Sequence, residues 1–203
     1  MNMKTCGIIA EYNPFHQGHI YHIQKTKELT QCDCLIAIVS NHFTQRGLFN
    51  LLTMEDKTKL ALEAGCNLVI ELPPCYAAQS ADYFAKYAVE SLSQLHIDQI
   101  CFGSETNNIS TLKEYSKQME STQVVPSLSM NQNLYTKNIR PNDILGIQYI
   151  KQCEKYGITP CTIARNDSFK SATQHAKNTL TVFLNSMMTT LIKTKHGTHI
   201  IHI

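Results

Sequence analysis

Two histidines three residues apart, His16 and His19, follow an apolar run and a proline-containing turn, with only Gln17 and Gly18 between them. A pair of imidazoles at such a turn can donate hydrogen bonds to charge developing on a leaving pyrophosphate. By analogy with one preorganised oxyanion donor, each would contribute roughly 3 kcal/mol to a transition state. The turn favours an anion on its own account, because the free N–H groups and dipole of a helix N-terminus attract phosphate and Gly18 has no Cβ to hold one away. At a spacing of three, the two rings share a face once the helix has begun. The same residues also fit a plainer role, as two surface histidines in a turn.

The hydrophobic pattern predicts the elements that must position these groups. The apolar run from Thr5 reads as a buried strand, Ile20 to Leu29 as an amphipathic helix, and Cys34 to Ser40 as a strand covered on both faces. Such a unit calls for parallel strands and a right-handed crossover. A helix starts at Thr53-Met54-Glu55-Asp56, with acids in its first turn, and stops at Gly65. The strand from Leu68 is cut off by Pro73-Pro74. A helix from Ser80 to Leu95 carries Phe84, Ala88, Leu92 and Leu95 at helical spacing, and Gln99 to Glu105 is a strand. The fold class is therefore α/β, a doubly wound parallel sheet whose ligands bind beyond the carboxyl ends of its strands. That geometry brings Gly103, Ser104 and Glu105 to the crevice of His16 and His19, although Gly103 also suits a tight turn. From Ile109 to Arg140 the chain is polar, with a helix over Thr111–Glu120, then Val124-Val125-Pro126 and a loop that identifies no ligand. Asn142 or Asp143 is placed to cap a helix with Ile144, Ile147 and Ile150 on its apolar face. Ile158 to Ala164 is a strand leading into Arg165.

At 203 residues and 43% apolar content the chain can bury one substantial core, or form one domain with a smaller appendage. Eighteen basic against sixteen acidic residues leave a formal charge of +2, so any RNA contact must come from a local patch. Of nine histidines, two read as functional. The eight cysteines hold no C-x-x-C pair and are scattered through apolar runs, which predicts free thiols in a reducing compartment and no metal site. The N-terminus enters a strand with no basic-then-apolar leader, and no apolar run approaches 18 residues. The expectation is a soluble, cytoplasmic protein with no membrane partner.

An apolar strand running into E-Y-N-P-F-H-x-G-H resembles the nucleotidyltransferases of the HIGH superfamily, and Gly7 to His19 with Tyr21-His22 following looks like the bacterial tRNA(Met) cytidine acetate ligase family. The resemblance implies a Rossmann-like fold and an ATP-dependent ligase, with ATP as substrate and Mg2+ as its counter-ion. It activates acetate as acetyl-adenylate and acetylates N4 of the wobble cytidine of elongator tRNA(Met). His16 and His19 are its implied catalytic residues. The implied nucleotide-binding residues are the run Gly7-Ile8-Ile9-Ala10-Glu11-Tyr12-Asn13-Pro14-Phe15-His16-Gln17-Gly18-His19-Ile20, together with Gly103 of an F-G-S-E string, Asn142 of an N-D-I-L-G-I-x-Y string and Arg165 of a P-x-T-I-x-R string. Of the family's S-G-N-F-x-Q-R-G-E-P loop, Ser40, Phe43, Gln45, Arg46 and Gly47 match, whereas Asn41, His42 and Leu48 do not.

The resemblance breaks near residue 173. Members run to about twice this length, and of their S-A-T-x-I-R motif Ser171-Ala172-Thr173 is present while Ala176 stands in the arginine's place, with Lys177 beside it. The Y-H-D segment is missing, and no acid follows Asp167. Residues 1–166 are therefore expected to form the nucleotidyltransferase-like ATP-binding domain, and 167–203 a divergent or truncated helical extension. Two further readings stand beside the ligase: an adenylyltransferase acting on a small phosphate ester or acid, and a nucleotide-binding remnant without turnover.

Overall fold

The pattern resolves into five strands and six helices among the residues that the computed structural model describes, 3–120 and 139–165, the side chains of 119 and 120 excepted. The Val124-Val125-Pro126 stretch, the S-A-T motif and the C-terminal extension lie outside the described residues. The strands are β1 (Thr5–Ala10), β2 (Cys34–Ser40), β3 (Leu68–Leu72), β4 (Gln99–Ser104) and β5 (Thr159–Ala164). The helices are α1 (Gln17–Thr30), α2 (Met54–Glu63), α3 (Pro74–Ala77), α4 (Ala81–Ser93), α5 (Ile109–Glu120) and α6 (Pro141–Tyr156).

All strand pairs are parallel, in the order β3-β2-β1-β4-β5. The chain winds outward from β1 through β2 to β3, then returns to place β4 on the other side of β1. The reversal between β1 and β4 opens a crevice at their carboxyl ends, where open α/β sheets bind ligands.

Alternation along each strand divides the core between the two faces of the sheet. Cys6 and Ile8 of β1, Leu35, Ala37 and Val39 of β2 and Cys101 of β4 pack with Ile23 of α1 and Ala61 of α2. On the other face Ile36, Ile38, Ile100 and Phe102 meet Phe84, Ala88 and Leu92 of α4 and Ile147 and Ile150 of α6. Helix α6 lies so close that a Cβ on Gly146 would stand 2.7 Å from Cε2 of Phe102. All eight cysteines are free, and Cys161 and Cys101 face each other across β5 and β4 with Sγ atoms 2.9 Å apart.

The strand from Leu68 ends before Pro73 as expected, and Pro74 goes on to occupy the first turn of α3. Three sequence expectations are corrected. Helix α1 begins at Gln17 rather than Ile20, because the histidine turn itself caps it. Leu95 lies beyond the end of α4 and is 39% exposed, while Ile97 is buried instead. Helix α6 starts at Pro141, with Arg140 at its N-cap and no side-chain cap bond, so neither Asn142 nor Asp143 caps it. Proline's fixed φ and missing N–H suit the first helical position, which leaves the next two side chains available for the loop after β4.

Candidate active site

The chain leaves β1 through Tyr12, a buried residue with φ +50°, and a cis Asn13–Pro14 bond, then enters α1 with His16 at the N-cap. The backbone N–H of Gly18 donates to Nδ1 of His16 at 3.0 Å, and that of His16 donates to Nδ1 of His19 at 3.2 Å. This is a capping box built from two imidazoles in place of the usual hydroxyl and carboxylate. An Nδ1 that accepts has no proton, so each neutral ring carries its proton on Nε2. The rings stack with centroids 3.8 Å apart, and Tyr12 and Phe15 flank His19 at 4.9 and 5.5 Å. The expected shared face is thus a stacked pair with defined tautomers.

Loss of water contact holds the His19 pKa well below the usual imidazole range, with His16, His22 and Arg165 adding to the effect. His19 is therefore neutral at pH 7 and acts as a donor without a charge. His22 sits one turn further along α1 behind it, pushed down to about 4 by burial and by Arg165, with Nε2 buried and lacking a hydrogen-bond partner among the described residues.

The opposite wall comes from β4, α6 and β5. Arg165 Nη1 donates to Oδ1 of Asn142 at 3.0 Å, and Asn142 Nδ2 donates to Oε1 of Glu105 at 2.6 Å. The other carboxylate oxygen, Oε2 of Glu105, is buried without a hydrogen-bond partner among the described residues. Asp143 anchors the loop beneath this chain, accepting from Ser104 Oγ at 2.5 Å, Thr106 N at 3.1 Å and Thr106 Oγ1 at 2.7 Å. Gly103 makes no tight turn, because it lies within β4. A Cβ there would meet Cγ of Arg165 at 3.2 Å, so the glycine makes room for the arginine's stem. Histidines, Gly103, Asn142 and Arg165 are thereby brought together, with Arg165 near enough to depress both His19 and His22.

The remaining expected residues are placed less uniformly. Gly7, Ile8 and Ile9 lie inside the sheet, Gly7 paired on both sides with Ile36 and Ile100, so their part is to fix the turn that follows. Ala10 ends the strand, and Glu11 beyond it accepts from the backbone N–H of Gln45 at 2.6 Å. Asn13 grips the same loop through Phe49 O and Leu51 N, at 3.2 and 2.7 Å. Pro14 completes the turn, Gln17 is exposed and Ile20 is half-buried in the first turns of α1. Arg46 is exposed in that loop.

Sequence reasoning missed Lys57. It is fully buried, and Nζ donates to the carbonyls of Ser40 at 2.8 Å and Asn41 at 3.4 Å at the end of β2. Burial pushes its pKa down to about 8 despite the nearby Glu11. Its one sequence signal was its place four residues before Ala61, on the inward side of α2.

Known proteins resemble this chain over most of its length. The HIGH Nucleotidyl Transferase family model covers residues 3–183. The tRNA(Met) cytidine acetate ligase of Geobacillus sp. (strain WCH70) is 40% identical over 185 residues, covering 80% of this chain and 46% of that protein. The ligase of the same name from Clostridium novyi (strain NT) is 39% identical over 216 residues, 87% of this chain and 54% of that one. Thermotoga maritima TmcAL, solved bound with alpha-thio ATP, superposes with a TM-score of 0.69 at 30% identity, over 82% of this chain and 47% of that one. The chain spans about half the length of the curated relatives it matches.

Proposed function

Because the chain belongs to the HIGH nucleotidyltransferase family, we propose that it is an ATP-dependent ligase that forms acetyl-adenylate and transfers the acetyl group to N4 of the wobble cytidine of elongator tRNA(Met). The relatives named for that activity and the neighbour bound with alpha-thio ATP support the reading. The observation that carries it is the pair of imidazoles whose Nδ1 atoms are both occupied by backbone N–H groups, which commits both Nε2–H groups to donation.

In this scheme a carboxylate oxygen of acetate attacks the α-phosphorus of ATP, and the bond to the bridging oxygen breaks. His16 and His19 donate through Nε2 to the charge gathering on the departing pyrophosphate. The cytidine N4 then attacks the acetyl carbon, loses a proton and releases AMP. The turn from Ala10 to Ile20 holds the nucleotide, with Gly7 to Ile9 fixing it, and Gly103, Asn142 and Arg165 close the pocket. The free oxygen of Glu105 suits a ribose hydroxyl. Magnesium enters as the counter-ion of the triphosphate. Among the described residues no group of three His, Cys, Asp or Glu side chains could hold a metal ion. Residues 1–166 serve as the ATP-binding domain and 167–203 as its extension, in a cytoplasmic protein. Among the described residues no helix is long and apolar enough to cross a membrane.

The test is ATP–pyrophosphate exchange with and without acetate. Exchange should require acetate and fall about 10²- to 10³-fold in His16→Ala and in His19→Ala. Nucleotide binding with no exchange for any acid would overturn the ligase reading. The near balance of 18 basic and 16 acidic residues favours a second reading, adenylylation of a small acid without RNA. Exchange with another acid in place of acetate would select it.

A further inference from the structure

The segment between β2 and α2 is a small hairpin that faces outward beside the crevice. Phe43 and Phe49 form an antiparallel bridge, Thr44 N donates to Leu48 O at 2.8 Å, and Asn50 N donates to His42 O at 3.0 Å. Its base is fastened by Lys57 and by the Asn50 side chain to the carbonyls of Ser40 and Asn41, and its flank by Glu11 and Asn13 of the histidine turn. A hairpin held at so many points presents its tip in one orientation.

The tip is apolar and cationic at once. Phe49 is 76% exposed, with Leu48 and Leu51 beside it, and its ring is backed by Phe43 at 5.1 Å. Arg46 and His42 are exposed on the same hairpin, and no acid occurs from Asn41 to Met54. An exposed aromatic ring beside a guanidinium, on a hairpin that carries no acid of its own and whose neighbouring carboxylates Glu11 and Glu71 accept from Gln45 N and Asn41 Nδ2, is the composition that receives splayed single-stranded RNA bases. A folded protein partner would be met by a broader apolar patch than this tip offers. The near-neutral charge of the chain requires RNA contacts to be local, and this hairpin is such a patch.

We propose that the hairpin from Asn41 to Leu51 docks the single-stranded acceptor RNA at the crevice mouth, Phe49 stacking on a base and Arg46 pairing with a phosphate. This rests on the reading that the acceptor is a tRNA cytidine. The Asn13 bonds to Phe49 and Leu51 set the stacked base beside the turn that carries His16 and His19.

The experiment compares wild type, Phe49→Ala, Phe49→Tyr and Arg46→Ala in filter binding of an elongator tRNA(Met) transcript over a salt series, in acetyl transfer, and in acetate-dependent exchange. Phe49→Ala should raise the Kd and KM for tRNA about tenfold, with Phe49→Tyr restoring them and exchange unchanged in both. Arg46→Ala should flatten the slope of log binding against log salt by about 0.7, one single-strand phosphate. An unchanged tRNA Kd in Phe49→Ala overturns the proposal, as does an equal loss of exchange, which would make Phe49 part of the activation site. So does conversion of a dimer to a monomer in Phe49→Ala, which would make the tip an interface between copies. Wild type that exchanges but neither binds nor acetylates tRNA sinks both this proposal and the transfer half of the function. Phe49-dependent tRNA binding without exchange sustains the proposal and sinks the ligase reading.

Discussion

At the residue scale, the Nδ1 atoms that set the tautomers of His16 and His19 also cap the helix. His16 and His19 were legible as a pair from their spacing, but the imidazole capping box was not, because a cap is ordinarily sought in Ser, Thr, Asp or Glu. Asn142 was assigned to the pocket through its resemblance to a known string, whereas residue logic alone placed it at a cap that Pro141 makes unnecessary. Glu105 stands out only through an oxygen left without a partner among the described residues, which no sequence pattern reveals. Buried histidines predict a pH effect of definite sign. His19 and His22 bind protons less readily when folded than the ordinary imidazole near pH 6.5. Their stabilising contribution is full above 6.5 and is lost as pH falls towards about 4, because the unfolded chain takes up protons first. The urea midpoint of wild type should therefore drop between pH 6.5 and 4 more steeply than that of His22→Gln. Coincident profiles would show that His22 does not titrate as argued.

At the element scale, helix and strand assignments followed the two hydrophobic periods, and misses fell at ends and on short pieces. The four-residue α3 has no room for a period, and Leu95 kept helical spacing after its helix had stopped. Lys57 was illegible because a lysine is normally read as the outward face of a helix, and only the carbonyls at the end of β2 account for its burial. The order of the strands was likewise beyond the pattern, which distinguishes buried runs but not their neighbours. The contact between α6 and β4 gives a sharp test. Gly146→Ala would force its methyl group against Phe102 and should lower unfolding stability by about 1–3 kcal/mol, read from urea denaturation. A variant as stable as wild type would mean that α6 can slide outward at little cost.

For the whole molecule, the crevice draws on segments far apart in sequence, the turn after β1 and the ends of β4, α6 and β5. A ligand bound there should protect both sides together. ATP at a hundredfold excess over its Kd is expected to add about 2.7 kcal/mol of stability. Amide hydrogen exchange should slow at the start of α1 and the start of α6 in the same experiment. Protection of α1 alone would place the nucleotide outside the Asn142–Arg165 wall. Asn13 joins this crevice to its surroundings, since one side chain holds both Phe49 and Leu51 to the turn that carries the imidazoles. Activated acetate is a labile anhydride that water destroys when no amine arrives in time. Under the proposed ligase reading, Asn13, by tying the hairpin to the histidine turn, is what would keep an arriving nucleotide in step with that anhydride. Under the same reading, a chain whose hairpin swung loose would consume ATP in a futile cycle, releasing acetate and AMP without marking an RNA.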